Sequence, residues 1–335
     1  MDALALYEKA RAHEGSLAGF YHHNVRVDTA TGPVLVRTPG SRSEPMDLTL
    51  WPEPALLEAI RPYVSRAPRL LYAGAEPEFQ IHEFVEGRLV HDLAPDAGAR
   101  LPGGVVSGVT RLFGEMLRVP GSALPALPSG WPAEGDTKAF ALRLLDVVRA
   151  IRDRADGPLE ALYQDLGVPA DPCALLAERA GRELSERPFR LLHADLHRKN
   201  MILTEDGVVF IDWELALWGD PVYDLADHLH KTGYSAADRS CVLAGWHAAA
   251  PAECRVGWSE DMEYYLAYEA MKSAVVDTVR WGRRIAKAPT GGERLLLAEE
   301  LRGKLLRGGP HWGGGTPPEV EEIVSASVRR LVSPA

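Results

Sequence analysis

Three cysteines, at positions 173, 241 and 254 of 335 residues, are too few and too widely spaced for a disulfide framework or a zinc site. Burial as small apolar side chains is the expected fate of all three. No apolar run is long enough to cross a bilayer, so no membrane partner is expected. The opening stretch MDALALYEKARAHEG has neither the basic start nor the apolar core of a secretion signal, and a cytoplasmic location is expected. Positive charge is also in short supply. The chain carries 37 Lys and Arg against 47 Asp and Glu, a formal net charge of −10. That balance argues against a nucleic-acid partner, because a phosphate-binding groove needs clustered cations. Internal repeats are absent. The one compositionally biased segment, GGPHWGGGTPP at 308–318, reads as a flexible connection before a last helix.

What is present is ordinary globular composition, 46% hydrophobic and 25% charged, in a chain long enough for two lobes. The first 90 or so residues combine a helix over 2–13, a hairpin from GSLAGFYHHNVRV (15–27) and GPVLVRTP (32–39), a short helix over 52–63, and strands at 69–74 and 79–85. Beyond residue 103 the periodicity is mostly helical, over 105–118, 137–154, 172–185, 222–231, 236–249, 259–286, 292–307 and 318–332. Short strands are expected at 190–193 and in the pair 201–204 and 207–212, joined by the turn EDG.

The chemistry gathers in LLHADLHRKNMILTEDGVVFIDWELA, residues 191–216. His193, Asp195 and His197 form an H-x-D-x-H cluster that a metal hydrolase could use, but no second ligand-rich segment completes such a site. Phosphoryl transfer uses more of the residues. A hydroxyl that attacks a γ-phosphoryl group needs a carboxylate to orient it and accept its proton, which Asp195 supplies. The phosphates need a hard cation held by oxygen ligands, which the Asn200 amide and the Asp212 carboxylate supply. The third reading, turn-forming Asp and Asn beside buried His, suits any one of these residues better than all together.

HADLHRKN, then IDWE, then GDPVYDLADHL at 219–229 resembles the linked motifs of the aminoglycoside phosphotransferase and choline kinase-like families, small-molecule relatives of the protein kinases. The resemblance implies an α+β, bilobal protein-kinase-like fold. Residues 1–87 would be the nucleotide-binding lobe, five-stranded with one helix, with a hinge at 82–87. Residues 88–335 would be a larger, mainly helical lobe with the catalytic loop and acceptor site. It implies Asp195 as catalytic base or orienting carboxylate and Asn200 and Asp212 as Mg²⁺ ligands. His193 and His197 would support the loop, and Asp220 and Asp224 would hold the segment that follows.

In the first lobe the resemblance implies a loop over the phosphates near Ser16, and Arg37 where protein kinases carry a lysine. A helix glutamate would pair with Arg37: Glu53 before Glu58, with Glu44 a remote third. The nucleotide base would lie against the backbone of Glu83, Phe84 and Val85. The implied reaction moves the γ-phosphate of ATP or GTP, with Mg²⁺, to a hydroxyl of a small molecule. An antibiotic is the favoured acceptor, and a choline-, amino-sugar- or homoserine-like metabolite or a non-catalytic nucleotide-binding protein are the alternatives. Monomer and homodimer are both compatible with the sequence. For the acceptor, 258–281 offers Glu260, Asp261, Glu263 and Glu269 beside Tyr264, Tyr265, Tyr268 and Trp281, a mixture suited to a polar or cationic ring compound.

Overall fold

The computed structural model describes residues 2–13, 22–40 and 49–332. In chain order it contains helix α1 (Ala3–Arg11), strands β1 (His22–Thr29) and β2 (Gly32–Pro39), helix α2 (Glu53–Ile60), and strands β3 (Leu70–Ala75), β4 (Glu78–Glu83) and β5 (Arg88–Leu89). Helices α3 (Val90–Leu93), α4 (Val105–Met116), α5 (Thr137–Asp153), α6 (Gly157–Asp165) and α7 (Ala174–Glu183) follow. After them come strands β6 (Arg190–Leu192), β7 (Met201–Thr204), β8 (Gly207–Phe210) and β9 (Leu217–Gly219). The chain closes with α8 (Pro221–Thr232), α9 (Ala236–Ala249), α10 (Trp258–Lys287), α11 (Gly291–Gly308) and α12 (Val320–Leu331). This is the α+β class expected, with a small antiparallel sheet region and a larger helical part. No helix among the described residues is long and apolar enough to cross a membrane. Two compact units divide the chain. The first is Met1–Gly130, Phe189–Asp224 and Lys231–Ala252; the second is Trp131–Pro188, Leu225–His230 and Glu253–Ala335.

In the first unit, β1, β2, β4 and β3 lie side by side in that order, all antiparallel. Alternation sets which face is buried: Val25 and Val27 of β1 point inward while Arg26 between them is exposed. With Val34, Val36, Phe79 and Ile81 they form a core closed by Ala10, Leu6 and Tyr7 of α1. Each fully buried side chain of that size contributes roughly 1.5–3 kcal/mol. The sheet therefore has four strands among the described residues, against five expected, and is served by two helices, α1 and α2. Ser16 and Glu44 lie outside the described residues.

The same unit holds two smaller sheets, β5-β7-β8 and β6-β9. The chain reaches β5 through Gly87, where a Cβ would lie 2.5 Å from the Leu203 carbonyl oxygen, so only glycine permits this approach. Strand β9 was not anticipated. LWG is too short to show a period and exists because it pairs with β6, Leu192 opposite Leu217.

In the second unit, α10 is the longest helix and carries much of the core. Tyr264, Tyr265 and Tyr268 are almost wholly buried, and the Tyr264 and Tyr268 hydroxyls donate to the carbonyls of Leu176 (3.2 Å) and Leu144 (3.2 Å). These rings are core, not the ligand-facing aromatics the sequence offered. Of the carboxylates beside them, Asp261 is buried against Arg187 and Glu269 against Lys272 (2.6 Å). Helix α6 went unpredicted because Gly157-Pro158 reads as a break. Pro158 instead occupies the first turn, where its missing N–H costs nothing, and Asp156 caps the helix through Leu159 N (3.1 Å). The Gly-rich 308–318 segment is not a free connection either. Gly309–Trp312 forms a 3-10 turn, and a Cβ on Gly308 would lie 2.6 Å from that of Ala274. Cys173 and Cys254 are buried as expected, but Cys241 is exposed on α9.

Candidate active site

Every described residue predicted for catalysis, nucleotide or metal binding, or support of the loop lies in the first unit, whereas the acceptor candidates of α10 lie in the second. Buried Arg37 on β2 donates through Nη1 to Glu53 Oε2 (2.8 Å) and through Nη2 to Asp212 Oδ1 (2.9 Å). Glu53 opens α2, and its other oxygen accepts from Trp213 N (3.0 Å). One carboxylate thus fixes both the strand cation and the backbone beside Asp212. Glu58 is exposed, and α2 turns it away from this cluster. Burial disfavours charge on both partners, yet their mutual attraction prevails: Glu53 is held below and Arg37 above the ordinary range.

Asp195 and Asn200 sit in the loop between β6 and β7. Asn200 Nδ2 donates to the Asp195 carbonyl (2.9 Å) and to Asp195 Oδ2 (3.1 Å). Its amide oxygen accepts no hydrogen bond from the described residues and is the group available to a cation. His197 Nε2 lies 3.5 Å from Asp195 Oδ2, and its Nδ1 accepts from Lys199 N (3.2 Å). Burial would raise the Asp195 carboxyl, but Lys231 and His197 outweigh it and hold the group well below the usual carboxylate range.

The loop's support comes from three sides. His193 is fully buried, its ring centroid 4.5 Å from that of Trp213 and its Nε2 3.2 Å from the Ile211 carbonyl. That burial keeps it from acting with Asp195 and His197 as a metal triad. Among the described residues no group of three or more His, Cys, Asp or Glu is arranged to hold a metal. Asp220 caps α8 through Val222 N (3.0 Å). Asp224, expected as structural support, reaches back to the loop and accepts from His193 N (3.0 Å) and Ala194 N (2.8 Å). Those bonds hold Ala194 at φ 59°, a left-handed conformation that costs a non-glycine residue about 1–2 kcal/mol. Asp212 is the other left-handed non-glycine, at φ 69°, so strain among the described residues is confined to the two loops that display the reactive groups.

Asp212 is pushed up to about 6, first by burial and then by Glu214, Glu53 and Asp195, against the pull of Arg37. An excess of carboxylates around a partly exposed oxygen is an environment a divalent cation would relieve. Asn200 and Asp212 therefore fit a hard, oxygen-seeking ion that keeps water and phosphate ligands.

In the segment expected as the hinge, the Glu83 N–H donates to the Arg69 carbonyl (3.0 Å), and Phe84 lies under the Arg26 guanidinium, 4.7 Å away. Three neighbours escaped the sequence reading. Lys231 donates to Asp195 Oδ1 (2.7 Å). His22 Nδ1 lies 3.1 Å from Arg37 Nη2 and 3.2 Å from Glu214 Oε2. Glu214, two residues after Asp212 in IDWE, was legible; the other two carried no local signal.

Burial also makes the fold acid-sensitive. His82, His193 and His230 are each pushed from 6.5 to about 4, mainly by desolvation. Each binds its proton more readily when unfolded, so stability is lost as pH falls from 6.5 towards 4, by about 1.4 kcal/mol per unit and group at most. Asp212 opposes them below about 6, because the folded state holds its proton more tightly. Three groups against one leave a net loss, and Tm is expected to be about 5 °C lower at pH 5 than at pH 7. Equal or higher Tm at pH 5 in thermal melts would overturn this.

Several solved structures share the fold. A choline/ethanolamine kinase family protein from Mesorhizobium loti matches with a TM-score of 0.57 at 14% identity, covering 98% of this chain and 100% of its own. A macrolide 2′-phosphotransferase from Brachybacterium faecium matches at 0.53 and 15%, covering 90% and 98%. A thermostable mutant of an aminoglycoside phosphotransferase matches at 0.55 and 15%, covering 98% and 99%. Among curated proteins none matches this chain. The family model of the phosphotransferase enzyme family, however, matches residues 16–264, which include every described residue of the site, and this chain belongs to that family.

Proposed function

We propose that this enzyme moves the γ-phosphate of ATP or GTP onto a hydroxyl of a small molecule. The acceptor we favour is an antibiotic, with a choline-, amino-sugar- or homoserine-like metabolite as the alternative. The observation that carries the reading is the convergence of Asp195, Asn200 and Asp212, from two loops, beside the Arg37–Glu53 pair. Residues 1–87 would form the nucleotide lobe, with the base against the backbone of Glu83, Phe84 and Val85. Arg37 would face phosphate oxygens with its planar guanidinium.

Asn200 and Asp212 would hold Mg²⁺, which when bound draws charge from the phosphate oxygens. Asp195 would orient the acceptor hydroxyl. The acceptor oxygen bonds to the γ-phosphorus as the bond to the β,γ-bridging oxygen breaks, nucleoside diphosphate leaves, and the hydroxyl proton passes to Asp195 and then to solvent. A carboxylate held this far down is a weak base and a good orienting acceptor, which suits a loose transition state.

A coupled nucleoside-diphosphate release assay tests the reading, with Mg·ATP and Mg·GTP in parallel against aminoglycoside, macrolide, peptide and nucleoside antibiotics and choline. Acceptor-stimulated release is expected with one class. Nucleotide binding with neither transfer nor hydrolysis would mean a non-catalytic binder and overturn the proposal.

A further inference from the structure

The ammonium of Lys231 sits against the loop that carries Asp195. It donates to Asp195 Oδ1 at 2.7 Å and to the Ala194 carbonyl at 3.1 Å. Its side chain and that of Asp195 are each 22% exposed, so the pair is neither freely solvated nor sealed. Lys231 lies in the last turn of α8, where the helix dipole favours a cation. It is seven residues, about two turns, beyond Asp224 and so on the same face. One face of α8 thus grips the loop twice: Asp224 takes the amides of His193 and Ala194, and Lys231 takes the carbonyl of Ala194 and the carboxylate of Asp195.

Resting on the phosphotransferase reading, we propose that Lys231 is a further residue of the acceptor site: it orients Asp195 and, by supplying positive charge beside the reacting hydroxyl, selects acceptors that are neutral or anionic there over cationic ones. A second observation agrees. The carboxylates that the sequence offered to a cationic acceptor on α10 include Asp261 and Glu269, and both are buried against cations of their own unit, Arg187 and Lys272. A cationic acceptor would meet an ammonium at Asp195, where an uncompensated carboxylate would be needed to attract it.

The test compares wild type, Lys231→Met and Lys231→Arg in Mg·nucleotide hydrolysis by water and in transfer to three probe sets: neutral polyols and macrocycles, hydroxy acids and sugar phosphates, and cationic hydroxyl compounds such as choline and aminoglycosides. Thermal melts and Mg·nucleotide Kd first show that the variants fold and bind donor. Wild type is expected to work best with the neutral or anionic sets. Lys231→Met should lower kcat for hydrolysis and transfer about tenfold or more, with the nucleotide KM nearly unchanged, and narrow the preference over cations about tenfold. Lys231→Arg should keep the preference, since it keeps the charge, while losing part of kcat. Wild-type preference for cationic acceptors overturns the inference alone, and so does Lys231→Met with unchanged kcat. Donor binding without hydrolysis or transfer in wild type overturns the reading on which it rests.

Discussion

Asp195→Ala is expected to lower kcat by about two to four orders of magnitude, the range a positioned acid–base group contributes, while leaving donor affinity intact. Asp195 touches Asn200, Lys231 and His197, but neither Arg37 nor Asp212 bonds to it; when the carboxylate is removed the Arg37–Asp212 bond remains, and Asn200 loses its bond to the carboxylate but keeps the one to the Asp195 carbonyl. The substitution does leave the Lys231 ammonium without its nearest counter-ion. Any change in Mg·nucleotide affinity should therefore be modest and towards tighter binding. Single-turnover rates and calorimetric titration, run on the same preparation, separate the two effects. More than about tenfold weaker nucleotide binding would move Asp195 into the donor site, because a tenfold change corresponds to about 1.4 kcal/mol that a residue acting only on the acceptor does not supply.

Asp212→Asn should give the complementary result: metal-dependent nucleotide binding weakened by about 100-fold or more, with the fold retained. Asparagine tolerates the left-handed backbone that Asp212 adopts at φ 69°, so the loop keeps its course. What is lost is the charge that a hard cation requires. The apo protein need not suffer. In the native protein this carboxylate is desolvated beside Glu214 and Glu53, and removing the charge relieves that repulsion while it weakens the bond from Arg37. The pH dependence carries the same signature. A carboxyl that titrates near 6 is protonated below that value and cannot ligate a cation, so wild-type Mg·nucleotide affinity should fall as pH drops below about 6. Asp212→Asn should show weak affinity with no such dependence. Tight Mg²⁺-dependent binding by Asp212→Asn would refute the ligand assignment.

The sequence by itself determined the class of the fold and the chemistry of the central loop. Periodicity is a local property, and it located α4, α5 and α8 to α12 to within a few residues. The linked motifs HADLHRKN, IDWE and GDPVYDLADHL are local enough for their resemblance to those of small-molecule phosphotransferases to be legible in the sequence. In the same way the Pro-flanked Glu53 could be picked out as the start of a short helix.

Only the tertiary structure decided which groups meet across long separations. Arg37 and Asp212 are 175 positions apart and Glu53 and Trp213 160, and no period encodes either contact. Strand β9 exists only by pairing with β6. The tyrosines of α10 could be read either as a core stripe or as lining an acceptor pocket, because composition cannot tell a buried tyrosine whose hydroxyl finds a carbonyl from one that faces a ligand. Nothing local in the sequence singles out Lys231. Its place at Asp195 comes from a helix folded back on the loop, a relation set by packing rather than by any run of neighbouring residues.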